Sequence, residues 1–167
     1  VIENSSDVAE IIVADNKSTD DSVDFMQKNF QNIRLILNDF NGGFATGYNI
    51  ALRQVEADYY VLLNSDIEVT PHWIEPVIEL MESDETIAAC QPKILSYHDK
   101  TKFEYAGAAG GYIDKYGYPF CRGRIFQNLE TDEGQYNDIK EVFWATGACM
   151  FVKASLYHQF GGLDDDF

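Results

Sequence analysis

Apolar residues in the first half of the chain come in short bursts set between polar turns. Glu10-Ile11-Ile12-Val13-Ala14 is a β-branched run with polar flanks, which predicts a buried strand. The polar stretch Asp15 to Ser22 can cap a helix, and Val23, Phe25, Met26 and Phe30 follow at near-helical spacing. Ile33 to Leu37 predicts a second strand, Asn38 to Gly47 a glycine-bearing loop, and Tyr48 to Ala57 a helix with Ile50, Leu52 and Val55 inward. Tyr59-Tyr60-Val61-Leu62-Leu63 is nearly all apolar, as a parallel strand covered on both faces would be, and it stops at Asn64-Ser65-Asp66. Thr70-Pro71 offers a cap and a first-position proline for a helix through Trp73, Ile74, Val77, Ile78 and Met81. Strand followed by helix, three times over, predicts parallel pairing with right-handed crossovers, a Rossmann-like α/β half.

The second half loses that rhythm. Ile87 to Cys90 is a further strand candidate, and Phe103 to Gly123, rich in Gly and Tyr, suggests hairpins or an irregular sheet. Gln127 to Lys140 is polar, acidic and without period, which reads as a mobile surface loop. Glu141 to Trp144 and Ala148 to Val152 read as strands around a small-residue turn. Ala154 to Phe160 reads as a short helix stopped by Gly161-Gly162.

Composition narrows the function classes. With 167 residues, 46% hydrophobic and 14% aromatic, the chain has a core's worth of apolar surface and is not a disordered polymer. Its formal net charge of −16 repels nucleic-acid phosphates and anionic lipid heads, so a phosphate-bearing ligand would have to be held through a cation. Cys90, Cys121 and Cys149 are odd in number and widely spaced, which predicts buried free thiols in a reducing compartment rather than a disulfide framework or zinc site. No apolar run approaches the ~18 residues of a membrane span. The chain opens on Val1 and closes on Phe167, and we expect it to be a piece of a longer protein.

Three polar clusters follow three predicted strands: Asp15 to Asp20, Asn38 to Asn49, and Asn64 to Asp66. Open parallel sheets bind ligands beyond the carboxyl ends of their strands, so the coincidence matters more than any one turn. Gly42-Gly43-Phe44-Ala45-Thr46-Gly47 is not a Walker loop, because Tyr48-Asn49 stand where Lys and Ser/Thr belong, and its glycine spacing fails the dinucleotide fingerprint. It remains either a tight turn or a loop and helix start that admit an anion. Asp66, directly after an apolar strand, suits a hard divalent cation carrying substrate phosphates, against the plainer reading of an Asx-type turn. Asp164-Asp165-Asp166 reads as a solvated turn, and His72, His98 and His158 carry no role.

The succession Ile12 to Asp20, Asn41 to Asn49, and Tyr60 to Asp66 closely resembles family-2 glycosyltransferases of the GT-A fold. The later segments Thr146 to Val152 and Phe160 to Phe167 are similar to that family's acceptor side, and the likeness is closest to its rhamnosyltransferase-like branch in bacterial surface polysaccharide synthesis. The resemblance implies an α/β GT-A (Rossmann-like) three-layer fold with a mostly parallel central sheet and a smaller mixed part. It implies one domain truncated at both ends, with residues 1–95 binding the nucleotide sugar and 96–167 facing the acceptor. It implies that Asp15 contacts the nucleotide base, with Ser18 and Asp20 shaping its turn. Asn41, Gly43, Gly47 and Asn49 would face the nucleotide sugar, and Asn64-Ser65-Asp66 would stand in for the D-x-D motif, with Asp66 on a manganese or magnesium ion. Trp144 and Gly147 would lie near the acceptor sugar, with Asp164 lining that side.

The chain also lacks, by the same resemblance, the family's first strand and the Glu-Asp pair beyond Phe167 that supplies the general base, Asp164 being a weaker candidate within it. The implied partners are a nucleotide-diphosphate sugar and a saccharide or lipid-linked acceptor, with no nucleic acid. The implied place is the cytoplasm, at the inner membrane face, where the longer protein would associate peripherally. Two alternatives stay open: a sugar nucleotidyltransferase, which would carry a basic glycine-rich loop near its start, and a non-catalytic carbohydrate-binding domain, which the aromatics would serve.

Overall fold

The computed structural model describes residues 1–105 and 109–166. Residues 106–108 of the expected hairpin stretch, the side chain of Ile125, and Phe167 at the end of the acceptor-side motif lie outside the described residues. The elements in chain order are β1 (Ile12–Asp15), α1 (Ser22–Asn29), β2 (Arg34–Leu37), α2 (Gly43–Leu52), β3 (Tyr59–Leu63) and α3 (Glu75–Ser83). Then come β4 (Ala89–Cys90), β5 (Gly111–Ile113), β6 (Pro119–Cys121), β7 (Arg124–Ile125), β8 (Asn128–Leu129), β9 (Cys149–Lys153) and α4 (Ala154–Gln159).

The strand–helix alternation is present, but its pairing is not the expected one. β1 and β2 pair in parallel, from Ile12 opposite Arg34 to Asp15 opposite Leu37. β3 does not join them: it belongs to a three-stranded sheet of order β3-β9-β4, in which β4 runs antiparallel to β9. β5 to β8 form an antiparallel four-stranded meander. The mostly parallel central sheet is thus corrected to a single parallel pair among the described strands whose direction is fixed. An apolar run tells that a strand is covered on both faces, but not which strand bonds its edge. Here the equally apolar Cys149–Lys153 takes that place.

Two helix starts also move. α2 begins at Gly43 rather than Tyr48, because Asn41 Oδ1 accepts the Gly43 N–H at 3.0 Å and Asn16 Nδ2 donates to Gly43 O at 2.8 Å. The local bond to Asn41 and the tertiary bond from Asn16 together override glycine's poor helix propensity. The helix ends at Leu52, after which Val55 N–H turns to Leu52 O at 3.2 Å and Val55 O accepts the Tyr60 hydroxyl at 2.6 Å. α3 begins at Glu75, with Pro76 in its first turn, and the Thr70-Pro71 start goes unused. The segment before it is held otherwise: Asn4 Nδ2 donates to Val69 O and Trp73 Nε1–H to the buried Ser5 Oγ, both at 3.0 Å.

The chain divides into two compact units. The first (Val1–Tyr60, Val69–Glu75, Lys153–Phe167) buries Ile36, Ala51, Tyr60, Ile74 and Tyr157. Within it Tyr60 gives its one proton to Val55 O, so the 2.8 Å contact with His158 Nε2 is a donation from the imidazole. The second unit (Val61–Glu68, Pro76–Val152) completely buries Leu62, Met81, Phe103 and Phe151. Cys149 is buried there as well, and burial pushes its thiol up to about 12, so it stays protonated and serves as packing. No disulfide joins the cysteines, and Cys90 and Cys121 are half-buried rather than buried as expected.

The stretch 127–140, expected to be a mobile loop, is pinned within the second unit. Lys93 Nζ donates to Asp132 Oδ2 at 2.5 Å and to Asn137 Oδ1 at 2.6 Å, and Arg122 Nη1 donates to Asp138 Oδ1 at 2.7 Å. Tyr136 hydroxyl donates to Glu130 Oε2 at 2.9 Å while its ring packs on Phe103. Absence of hydrophobic period hid this order, because cations far along the chain supply it. The hydrogen bond from Lys93 holds the Asp132 carboxyl below the usual carboxylate range. Its folded-state value being depressed, the pin stabilises this stretch above the unfolded carboxylate value and loses effect as pH falls through the folded value. In Lys93→Met, NMR titration of Asp132 is expected to move up toward the usual range, with faster amide exchange at Asp132 and Asn137 near neutral pH. An unmoved Asp132 titration would refute Lys93 as the cause.

Candidate functional site

The candidate residues divide between the units. Asp15, Ser18, Asp20, Asn41, Gly43, Gly47, Asn49 and Asp164 belong to the first, and Asn64, Asp66, Trp144 and Gly147 to the second. In the first unit, β1 ends on Asp15, whose Oδ2 accepts the Ser18 N–H at 3.0 Å and closes the turn. Asp20 Oδ1 accepts the Ser22 N–H at 3.1 Å at the start of α1, and the bonds from Ser22 hold its carboxyl below the usual range.

Between these acids stands Asn16, to which sequence reasoning gave no role. Its Nδ2 donates to Asn41 Oδ1 at 3.0 Å and to Gly43 O at 2.8 Å. Its Oδ1 accepts from Gly42 N–H and from Asn38 Nδ2, both at 3.3 Å. Asn38, directly after β2 and buried, also donates to Gly47 O at 3.2 Å, and its Oδ1 is left without a protein partner. A Cβ on Gly47 would stand 3.0 Å from Asn16 Nδ2, so the helix passes close over the turn. One side-chain node therefore joins the end of β1, the end of β2 and the start of α2. The sequence signal was an asparagine directly after each of two strands.

Asn49 lies two residues further along α2 than Gly47 and is buried. Its Oδ1 accepts from the Tyr157 hydroxyl at 2.6 Å and the Leu163 N–H at 2.9 Å, and its Nδ2 donates to Leu163 O at 2.8 Å. Near it Thr46 Oγ1 donates to Asp165 Oδ2 at 3.3 Å, and Asp164 is exposed with its Oδ1 accepting the Asp166 N–H at 3.1 Å.

In the second unit, Asn64 follows β3 and opens a turn in which Ile67 N–H donates to Asn64 O at 3.3 Å. Asp66 is exposed in that turn. Asn64 N–H donates to Ala148 O at 3.0 Å, which brings this turn against Thr146-Gly147-Ala148. The second turn is fixed in its own right: Thr146 is buried, its N–H donates to Gln91 Oε1 at 2.7 Å, and its Oγ1 accepts the Ala148 N–H at 3.3 Å. The Trp144 indole packs against Gly111 and donates its Nε1–H to Tyr112 O at 3.2 Å.

Magnesium or manganese carrying substrate phosphates needs only one or two protein carboxylates, the rest being water and phosphate oxygens. Asp66, exposed on a turn anchored through Asn64 to Ala148, fits that demand. Among the described residues no group of three or more His, Cys, Asp or Glu side chains forms a protein-only metal cage.

Residues 1–160 match the family model for glycosyl transferase family 2, and the chain belongs to that family. It is 23% identical to an N-acetylglucosaminyl-diphospho-decaprenol L-rhamnosyltransferase of Mycobacterium tuberculosis, covering 94% of this chain and 56% of the relative. It is 24% identical to a low-salt glycan biosynthesis hexosyltransferase of Haloferax volcanii, covering 97% of this chain and 50% of that one. An uncharacterized glycosyltransferase of Haemophilus influenzae is 29% identical over 53% of this chain and 28% of its own length. The chain spans about half the length of the first two relatives.

The Trp144 seat makes a direct prediction. A Cβ on Gly111 would come within 1.9 Å of Trp144 Cε2, so Gly111→Ala must push the indole out of its seat. We expect a loss of about 1–3 kcal/mol in denaturant unfolding with a changed tryptophan emission. Wild-type stability and emission in that variant would mean that Trp144 is not seated on the Gly111 backbone.

Proposed function

We propose that the protein containing this chain transfers a sugar from a nucleotide-diphosphate sugar to a saccharide or lipid-linked acceptor, with inversion, in the synthesis of a bacterial surface polysaccharide. The observation that carries this reading is the Asn16 node. At the carboxyl ends of a parallel pair, one amide joins the turn bearing Asp15 to the loop and helix start bearing Asn41, Gly43 and Gly47. That is where open α/β sheets bind nucleotides, and the chain is a family-2 member. The name of the Mycobacterium relative, with its diphospho-decaprenol, supports a lipid-linked acceptor.

Under this reading Asp15 accepts a hydrogen bond from the base, and its turn is held by Ser18 and Asp20. Asp66, with Asn64 beside it, holds a divalent cation, which when bound neutralises the diphosphate of the donor. The acceptor hydroxyl oxygen bonds to the anomeric carbon while the carbon–oxygen bond to the diphosphate breaks, and the electron pair leaves with the diphosphate. The hydroxyl proton passes to a carboxylate base beyond Phe167, with Asp164 the weaker candidate. Trp144 and Gly147 face the acceptor. The reading places the enzyme in the cytoplasm at the inner membrane face; among the described residues no helix is long and apolar enough to cross a membrane.

A non-catalytic carbohydrate-binding role is the second reading. The exposed rings of Tyr116 and Tyr118 (74% and 71%) and of Phe120 along the β5–β6 hairpin favour it. Glycan binding by the whole protein without any sugar transfer would establish it over the first. The nucleotidyltransferase alternative is dropped on family membership.

Calorimetric titration of UDP, GDP and dTDP, with and without manganese, tests the first reading. One nucleotide is expected to bind, more tightly with manganese. Asp66→Ala should abolish that manganese-dependent gain, and Asp15→Ala should weaken binding about tenfold, the loss of a charged hydrogen bond. Full retention of the manganese gain in Asp66→Ala would refute the metal assignment, and binding of no nucleotide by the whole protein would refute the reading.

A further inference from the structure

α4 ends in a Schellman turn: Gly162 N–H donates to Tyr157 O at 2.8 Å and Gly161 N–H to His158 O at 3.1 Å. Gly161 has φ +87° and Gly162 has φ +94°, two left-handed residues in succession, so the chain leaves α4 and doubles back. It doubles back onto α2. There Asn49 offers its amide to one residue as a neighbouring strand would, taking the Leu163 N–H at 2.9 Å and giving to Leu163 O at 2.8 Å. The Tyr157 hydroxyl, from the last full turn of α4, donates to the same Asn49 Oδ1 at 2.6 Å. Asn49 and Tyr157 are 5% and 6% exposed, so water has little access to the bond between them and competes only from the Leu163 side for the other two. A side chain on Gly162 would begin 2.2 Å from Asn49 Oδ1, so glycine is required there for space as well as for φ. One helical turn before Asn49, Thr46 takes a second hold through Asp165.

The Asn49 amide oxygen accepts two bonds and its nitrogen gives one, all within the chain, and burial of the residue leaves a ligand little access to what remains. We propose that Asn49 is a positioning residue: through Leu163 it fixes the path of the acidic segment Asp164–Asp166 against α2, and it does not itself contact the donor nucleotide. This rests on the glycosyl-transfer reading for its consequence, because that reading puts the group that would receive the acceptor's proton on or after the fixed segment. The bonds themselves do not depend on that reading.

The test compares Tyr157→Phe, which removes one bond and keeps the ring, with Asn49→Asp, which keeps both acceptor bonds and sets an oxygen against Leu163 O. Both variants are expected to speed exchange of the Leu163 amide by about tenfold or more while the central amides of α2 exchange as before. Titration of UDP, GDP and dTDP with manganese should give wild-type affinity within about twofold, and in the whole protein kcat of sugar transfer should fall about tenfold with donor KM unchanged. A change in fold stability alone would not split kcat from KM in this way. Unchanged Leu163 exchange in both variants would overturn the clamp. A tenfold loss of nucleotide affinity in Asn49→Asp with none in Tyr157→Phe would overturn it in favour of direct donor contact. If no nucleotide binds the unmodified whole protein, the glycosyl-transfer reading falls while the exchange measurement still decides the clamp.

Discussion

Side-chain amides bond the main chain at the positions of this protein that carry candidate chemistry, taking up the N–H groups of Gly42, Leu163 and Thr146 in loops and adding a bond to the helical carbonyls of Gly43 and Gly47. Asn16 bonds the main chain at Gly42 and Gly43, Asn38 that at Gly47, Asn49 that at Leu163, and in the second unit Gln91 that at Thr146. Each joins two segments that are not neighbours in the chain, from 9 residues apart for Asn38 and Gly47 to 114 for Asn49 and Leu163. Without them the glycine-bearing loop would have neither a fixed path nor a helix beginning at Gly43, since glycine opposes helix formation on its own. A short amide suits this work because it donates and accepts at once, and can therefore mimic a peptide group.

In the second unit the constraint is steric. Trp144 is seated on a residue without a side chain, and Phe103 packs where Gly123 leaves room, a Cβ there coming within 2.6 Å of its ring. The Gly- and Tyr-rich stretch is thus not loose material between strands. Its glycines admit large rings close to the backbone, and those rings in turn give Lys93, Arg122 and Tyr136 the surroundings from which they pin residues 127–140. Both effects are long-range, which explains why a polar, aperiodic segment is ordered.

The acidity of the chain bears on the chemistry in the same way as the turns do. A net charge of −16 makes an unassisted diphosphate an unwelcome ligand. A carboxylate exposed on an anchored turn, as Asp66 is, offers a cation a place from which to reverse that field locally. The family's motifs therefore make physical sense in this background as parts of a cation-assisted site, and family membership and electrostatics point the same way.

What the sequence determined by itself is local. Short β-branched runs, their polar ends and the double glycine after Gln159 marked β1, β2, β3 and the end of α4, and the ordered motifs from Asp15 to Asp66 marked the family. These follow from neighbours a few residues apart, whose sterics and turn chemistry the chain carries with it. Tertiary structure decided that β3 bonds β9 instead of β1, that α2 starts at Gly43, that residues 127–140 are held, and that the amide of Asn49 is spent on Leu163. In each case the partner lies far along the chain, 114 residues away for Asn49 and Leu163. Which of many chemically equal strands, carbonyls or cations reaches a given group is set by packing, and no local pattern encodes it.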